Sequence, residues 1–443
     1  MAGMQIVDAT LQFVVDHWVR VLVSGVLFLG TYRWVKREIR APYTPSALLV
    51  PSTSTYPSKA YTLPHKLSAQ QLIDDLLQGR TELRDAHSGQ GMVRIADVVS
   101  FRFDLVLAWR VLWTFLRTTT HSERRDKHNM EQYVLASDSL LEQVLGPDRL
   151  PLVGYIREGV PEQLESCLRI QMQRVANEYL DLHSDDRLLD VNAQWGDLAV
   201  YLAHDFQVPT CAIVPTASQL AHATNLTGES QAQRFLRFVA GDYRAVRQCL
   251  PPGVPLFTKI IALDALDTVG PRNISVFLQL LNDAIERGGR LLLQVTTTPS
   301  SLVRSKHAAA TAAASHEDLS ADDDDGCLHI RGEGEWAEHW WYHWFRQRYI
   351  QPGADTSMLI SVEHVMAELQ KAGFEVLQVE SLTADAALTT AIWCNRLCAS
   401  KRQIEVELGI DVYRTWELYL NWTQSLYARA RLHKHFILAV KRW

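Results

Sequence analysis

Two apolar periods alternate through the centre of the chain. Short runs with strand character occupy residues 187–191, 210–214, 235–240, 259–263, 290–296 and 375–380. Between them, apolar residues recur every three or four positions, which predicts helices over 198–205, 218–225, 273–287 and 362–372. A longer helical pattern, 161–182, precedes the first strand, and Gly288-Gly289 reads as a helix C-cap. Strands alternating with helices predict an α/β fold, a doubly wound and mostly parallel sheet covered on both faces. Such sheets bind ligands beyond the carboxyl ends of their strands, where the winding direction switches.

The first 126 residues lack this alternation. Residues 18–34 read as a membrane helix: no charge falls between Val21 and Tyr32, and Trp18 and Trp34 suit the two headgroup belts. Arg33, Lys36, Arg37 and Arg40 follow at once, which favours keeping the bulk of the chain on the cytoplasmic or matrix side. A buried core helix or a removed targeting segment are the alternatives. Residues 41–64, rich in Pro, Ser and Thr, read as an extended linker, and 67–83 has helical spacing. Residues 98–116 form a charged amphipathic pattern, suited to a membrane surface, a partner or the chain's own core. The expected organisation is therefore an anchor at 1–40, a linker and amphipathic region at 41–126, and one α/β domain at 127–443. A flexible insertion at 300–335 carries an Ala run and four consecutive aspartates from Asp322.

Composition adds limits. With 47% hydrophobic residues and a formal charge of −6, the 443-residue chain has ample core and no electrostatic reason to bind nucleic acid. Its six cysteines form no CxxC pair or regular framework, so reduced, scattered thiols are expected. His339 and His343 stand four apart on a predicted helix, a spacing that can bind zinc, but their neighbours Trp340, Trp341, Tyr342 and Trp344 favour an aromatic packing or interface segment.

The turn after the first strand carries the chemistry signal. Asp190-Val191-Asn192-Ala193-Gln194-Trp195-Gly196-Asp197 is a strand–turn–helix start of the nucleotide-binding kind, where glycines let the backbone approach a ligand. Asn192 and Gln194 stand where two glycines are expected, and only Gly196 remains.

Three further motifs lie towards the C-terminus. These are Trp344-Phe345-Arg346-Gln347-Arg348-Tyr349-Ile350-Gln351-Pro352-Gly353, Ala372-Gly373-Phe374-Glu375-Val376, and Trp416-Glu417-Leu418-Tyr419-Leu420 with Tyr427-Ala428-Arg429-Ala430-Arg431-Leu432. With them, the chain from about Lys127 onward resembles the cyclopropane-fatty-acyl-phospholipid synthases and the related mycolic acid and sphingolipid methyltransferases. The resemblance implies a Rossmann-like, class I S-adenosylmethionine-dependent fold acting on lipids. It places cofactor-binding positions at Asp190, Asn192, Gln194, Gly196, Gln219 and Asp242. In the family a bicarbonate ion, held by a Cys, a Glu, a His and a Tyr, is thought to take a proton from the methylated lipid. Those four positions fall here on Val153, Asp267, Gln294 and Ala386, none of which keeps the family residue.

Altered grips beside a kept framework lead to an expectation of a catalytically degenerate protein with no cofactor. Such a protein would serve as an accessory or structural subunit of a membrane complex, contacting membrane lipids and other subunits, with the mitochondrial inner membrane as its expected home. The alternatives are an active S-adenosylmethionine-dependent cyclopropane synthase or lipid methyltransferase, or a lipid sensor or carrier.

Overall fold

The structure is a computed structural model that describes residues 138–146, 149–156, 164–228, 234–250, 252–269, 273–299, 333–350 and 360–442, with short pieces between 48 and 100. Those pieces include β1 (Leu48–Val50), β2 (Tyr61–Thr62), β3 (Leu67–Ser68), β4 (Glu82–Leu83) and β5 (Val99–Ser100). β1 pairs with β2 and β4, and β3 with β5. Residues read as linker, and the ends of the 67–83 pattern, thus carry strand pairings. Val99 and Ser100 are strand where an amphipathic helix was expected. Segment 18–34, the rest of 98–116 and residues 300–332 lie outside the described residues. Among the described residues, no helix is long and apolar enough to cross a membrane.

The main body begins with α1 (Asp138–Leu145) and α2 (Leu164–Arg174), and α2 runs on as a π-helical turn over Val175–Leu180. Then follow β6 (Leu188–Asp190), α3 (Asp197–Phe206), β7 (Thr210–Val214), α4 (Ala217–Thr227), β8 (Leu236–Ala240), α5 (Val246–Cys249), β9 (Phe257–Leu263), α6 (Ile274–Ala284) and β10 (Ile285–Thr297). The last part holds α7 (Glu333–Phe345), α8 (Val362–Lys371), β11 (Phe374–Ser381), α9 (Thr383–Ala399), α10 (Lys401–Leu408), α11 (Ile410–Ala428) and β12 (His433–Lys441).

Seven strands form one sheet in the order β11-β12-β10-β9-β6-β7-β8. β6 pairs parallel with both β7 and β9, and β7 with β8, whereas β12 runs antiparallel between β10 and β11. The fold is thus the doubly wound, Rossmann-like α/β arrangement. The chain leaves β6 in one direction for β7 and β8 and returns on its other side at β9. That reversal opens a crevice beyond Asp190 and Leu263.

Alternate side chains of the inner strands face opposite cores. Leu188, Ile261, Leu292 and Phe436 pack with α2, α3, α7 and α11 on one face. Leu189, Ile260, Leu293 and Ile437 pack with α6 and α8 on the other. Burial on both faces explains why these strands read as continuous apolar runs. Gly288-Gly289 does not cap α6: the helix ends at Ala284, and Gly288 (φ +81°) lies in a register shift of β10 between Ile285 and Arg290.

The aromatic segment of α7 is core. Trp341, Tyr342 and Phe345 are buried, and the Tyr342 ring meets Trp422 of α11 edge-on at 5.5 Å. Glu338 accepts hydrogen bonds from Arg429 at 2.6 and 3.0 Å and from the Trp422 indole at 3.2 Å. Of the two readings of this segment, packing or interface, these aromatics follow the packing one. His339 is buried with Nε2 2.9 Å from Thr298 Oγ1, and His343 is buried as well.

Candidate functional site

At the end of β6, Asp190 is buried and accepts a 3.2 Å hydrogen bond from the Asn192 backbone N–H. Burial pushes its carboxyl up to about 7, against the lowering effect of that bond. Asn192 does not occupy a left-handed conformation; its Nδ2 donates to the Leu263 carbonyl at 2.9 Å and ties the turn to the end of β9. The left-handed positions are Gln194 (φ +52°) and Gly196 (φ +93°). A Cβ on Gly196 would lie 2.8 Å from Ala223 Cβ and 3.1 Å from the Phe238 ring, so packing and backbone both demand glycine there.

The other positions on the nucleotide side surround this turn. Thr216 caps α4, accepting from Gln219 N, and its hydroxyl donates to the buried Gln219 Oε1 at 3.1 Å. Asp242, after β8, accepts from the Arg244 backbone at 2.9 Å and pairs with its guanidinium.

Three cavities meet at Gln194 and Pro151. A narrow cleft of about 20 Å3 is bounded by Asp190, Asn192, Gln194 and Asp264. A second cavity, about 150 Å3, is mostly apolar, lined by Leu141, Val144, Leu145, Trp416 and Leu420 together with Gln219 and Trp195. The third, about 140 Å3, is the polar one: Val153, Asp264, Asp267, Thr296, Tyr342, Arg346, Ala386, Tyr427 and Lys434 all line it.

The third cavity brings together positions that lie far apart in sequence. Val153, Asp267 and Ala386 share its wall, and Gln294 reaches it through Asp264, to whose Oδ2 it donates from Nε2 at 3.0 Å. Asp267 accepts from Arg346 Nη2 at 3.0 Å.

The groups that sequence reasoning missed are Asp264, Lys434, Arg346, Tyr342 and Tyr427. Asp264 follows β9 in a left-handed conformation (φ +53°). Lys434 Nζ donates to Asp264 Oδ1 and, at 3.0 Å, to Thr296 Oγ1. Burial works to lower the Lys434 ammonium, but the charge of Asp264 beside it carries it above its ordinary value, so it stays protonated. Burial raises the Asp264 carboxyl, although Lys434 and Gln294 pull it down. Burial likewise raises the Tyr342 and Tyr427 phenols, so both remain neutral donors. An acid directly after a predicted strand end was a visible signal for Asp264; Lys434 sits in a strand that the pattern did not reveal.

The residues at the switch point fit an S-adenosylmethionine site. Gly196 lets the turn pack against Ala223 and Phe238 where a Cβ would clash, and the Asn192 amide is engaged with Leu263. The buried indole nitrogens of Trp195 and Trp393, in the cavity walls, have no hydrogen-bond partner among the described residues.

This is the fold of the S-adenosylmethionine-dependent methyltransferases. Within it, the chain belongs to the mycolic acid cyclopropane synthetase family, whose model matches residues 121–436. It is similar to a sphingolipid C9-methyltransferase of Candida albicans, 25% identical over 73% of this chain and 56% of that protein. A probable fatty acid methyltransferase of Pseudomonas putida is 25% identical over 73% of this chain and 71% of its own. The chain thus spans little more than half the length of the sphingolipid relative. Among solved structures, a mycolic acid cyclopropane synthase complexed with SAH and CTAB superposes with a TM-score of 0.58 at 20% identity, covering 71% of this chain and 98% of that one. The cyclopropane synthase MmaA2 from Mycobacterium tuberculosis gives 0.57 at 18% identity, over 73% and 99%.

These findings overturn the expectation of a catalytically degenerate structural subunit. The matching family is one of synthetases, and the relatives are named as methyltransferases. The expectation of no cofactor rested on the same changed side chains and loses its support with that of a degenerate subunit. Changed side chains at the family's four anion-holding positions do not remove the cavity. Three of the altered positions, Val153, Asp267 and Ala386, line a cavity that carries its own charged groups, and Gln294 bonds one of those groups, Asp264.

Proposed function

We propose that this chain is an S-adenosylmethionine-dependent methyltransferase acting on an unsaturated acyl chain of a lipid. One observation carries the reading: the cleft beside Asp190 meets a polar cavity and a mostly apolar one at Gln194. Asp190, Asn192, Gln194, Gly196, Gln219 and Asp242 would hold the cofactor, which supplies an electrophilic methyl group when bound. The mostly apolar cavity, walled by Leu141, Val144, Leu145 and Leu420, suits hydrocarbon and excludes water from the reacting carbons. The tyrosines Tyr342 and Tyr427 and the pairs Asp264–Lys434 and Asp267–Arg346 supply the polar end. The family to which residues 121–436 belong and the names of the relatives support the same class of reaction.

Titration calorimetry of the full chain with S-adenosylhomocysteine tests the cofactor half of this reading. Saturable binding at micromolar ligand is expected, and absence of heat at millimolar ligand overturns it.

A further inference from the structure

We infer that the Asp264 carboxylate is the proton acceptor of the reaction, held in place by Lys434 and Gln294, so that the base is part of the chain itself. The inference rests on the reading of the site as a lipid methyltransferase.

The chemistry requires a base. When the π pair of an alkene forms a new C–CH3 bond, the S–CH3 bond breaks and its pair stays on sulfur. The neighbouring carbon is left cationic. Loss of a proton from the added methyl closes a three-membered ring, and loss from an adjacent carbon restores a double bond. Either way the C–H pair remains with the product, and the proton must go to a positioned acceptor.

Among the described residues, two carboxylates line the polar cavity, Asp264 and Asp267. They differ in position. Asp264 also borders the cleft beside Asp190 and Gln194, so it stands where the cofactor side opens into the substrate side. Asp267 lines the polar cavity but not the cleft, and it is bound to Arg346 Nη2 at 3.0 Å. Asp264 is fixed from two directions, Lys434 Nζ on Oδ1 and Gln294 Nε2 on Oδ2. Its left-handed backbone (φ +53°) is the kind of strained conformation that a chain holds at functional sites. Burial raising the Asp264 carboxyl makes it a stronger base than an exposed aspartate. A carboxylate at this junction also stabilises the cation before it takes the proton. Lys434 is a positioning residue: it keeps the carboxylate ionised and directed, with Thr296 orienting the ammonium in turn.

A stable cation tests the assignment without turnover. Decyltrimethylammonium and decanol are titrated into the full chain, free and with S-adenosylhomocysteine. The wild-type chain is expected to prefer the ammonium amphiphile by about tenfold. Asp264→Asn should abolish that preference, while Asp267→Asn should keep most of it. If Asp264→Asn does not fold because Lys434 is left without its counter-charge, the double variant Asp264→Asn/Lys434→Met removes both charges and should lose the preference equally. Preference retained without Asp264, or lost only with Asp267, overturns the inference. A chain that fails to bind S-adenosylhomocysteine yet shows the Asp264-dependent preference contradicts the functional reading and leaves the cation site standing, so the two failures are distinguishable.

Discussion

Asn192 Nδ2 donates to the carbonyl oxygen of Leu263 at 2.9 Å, joining the turn after β6 to the end of β9 across the mouth of the crevice. A glycine at position 192 could not make this bond, so the amide contributes structure where its bulk alone suggested obstruction. Asn192→Gly should lower stability by about 1 kcal/mol through loss of the hydrogen bond. Its effect on S-adenosylhomocysteine affinity should stay within about threefold. Chemical denaturation with parallel calorimetry checks both; a tenfold gain in affinity would show that the amide blocks the site after all.

The two left-handed positions of the same turn should respond unequally. Gly196→Ala places a Cβ 2.8 Å from Ala223 Cβ at φ +93° and is expected to cost about 2 kcal/mol or more. Gln194→Gly relieves strain at φ +52° but enlarges the freedom of the unfolded chain, so its net change should be near zero. Denaturation midpoints of the two variants measure the contrast, and equal losses would contradict it.

Asp190 gives the fold a pH dependence. Its carboxyl is raised to about 7 by burial, partly offset by the Asn192 N–H. An acid raised on folding is most stable in its protonated form. Its stability is therefore fully present below about pH 4, the ordinary carboxyl value, and is lost as pH rises towards 7. Asp190→Asn removes this titration. The variant should match the parent near pH 4 and exceed it at pH 8 by about 4 kcal/mol at most. Melting temperatures from pH 4 to 8 check it, and parallel curves for the two proteins would refute it.

Glu338 on α7 is 3% exposed and receives Arg429 in a two-pronged pair together with the Trp422 indole. Removing the carboxylate takes the acceptor of Arg429 Nη1 and Nη2 and of the Trp422 indole, while Arg429 Nε keeps its bonds to Ser425. Glu338→Ala should cost about 3 kcal/mol and loosen α7 from α11. Urea denaturation reads the loss, and a change below about 1 kcal/mol would show that water satisfies the pair instead.

Most of the sheet was legible because β6, β7, β9 and β10 are buried on both faces and so read as apolar runs bounded by turns. β12 was not. His433, Lys434 and His435 break the apolar pattern at its start, and the strand enters the sheet only through pairing with β10 and β11, distant in sequence. The site was legible on its cofactor side, since Asp190 to Gly196 is one continuous turn. Its reactive end was not, because Lys434 meets Asp264 across 170 positions and Arg346 meets Asp267 across 79. A substitution count at Val153, Asp267, Gln294 and Ala386 registered what had been replaced. It carried no information on what the folded chain brings beside those positions.

The central claim is that the cavities meeting at Gln194 form a working methyl-transfer site. Incubating the full chain with deuteromethyl-labelled S-adenosylmethionine and phospholipid or sphingolipid vesicles bearing unsaturated chains, followed by lipid mass spectrometry, tests it most directly. Label appearing in an acyl or sphingoid chain, and absent when Gly196→Ala distorts the turn, is the predicted result. Unlabelled lipid after prolonged incubation, with S-adenosylhomocysteine binding intact and every candidate lipid class supplied, would contradict it.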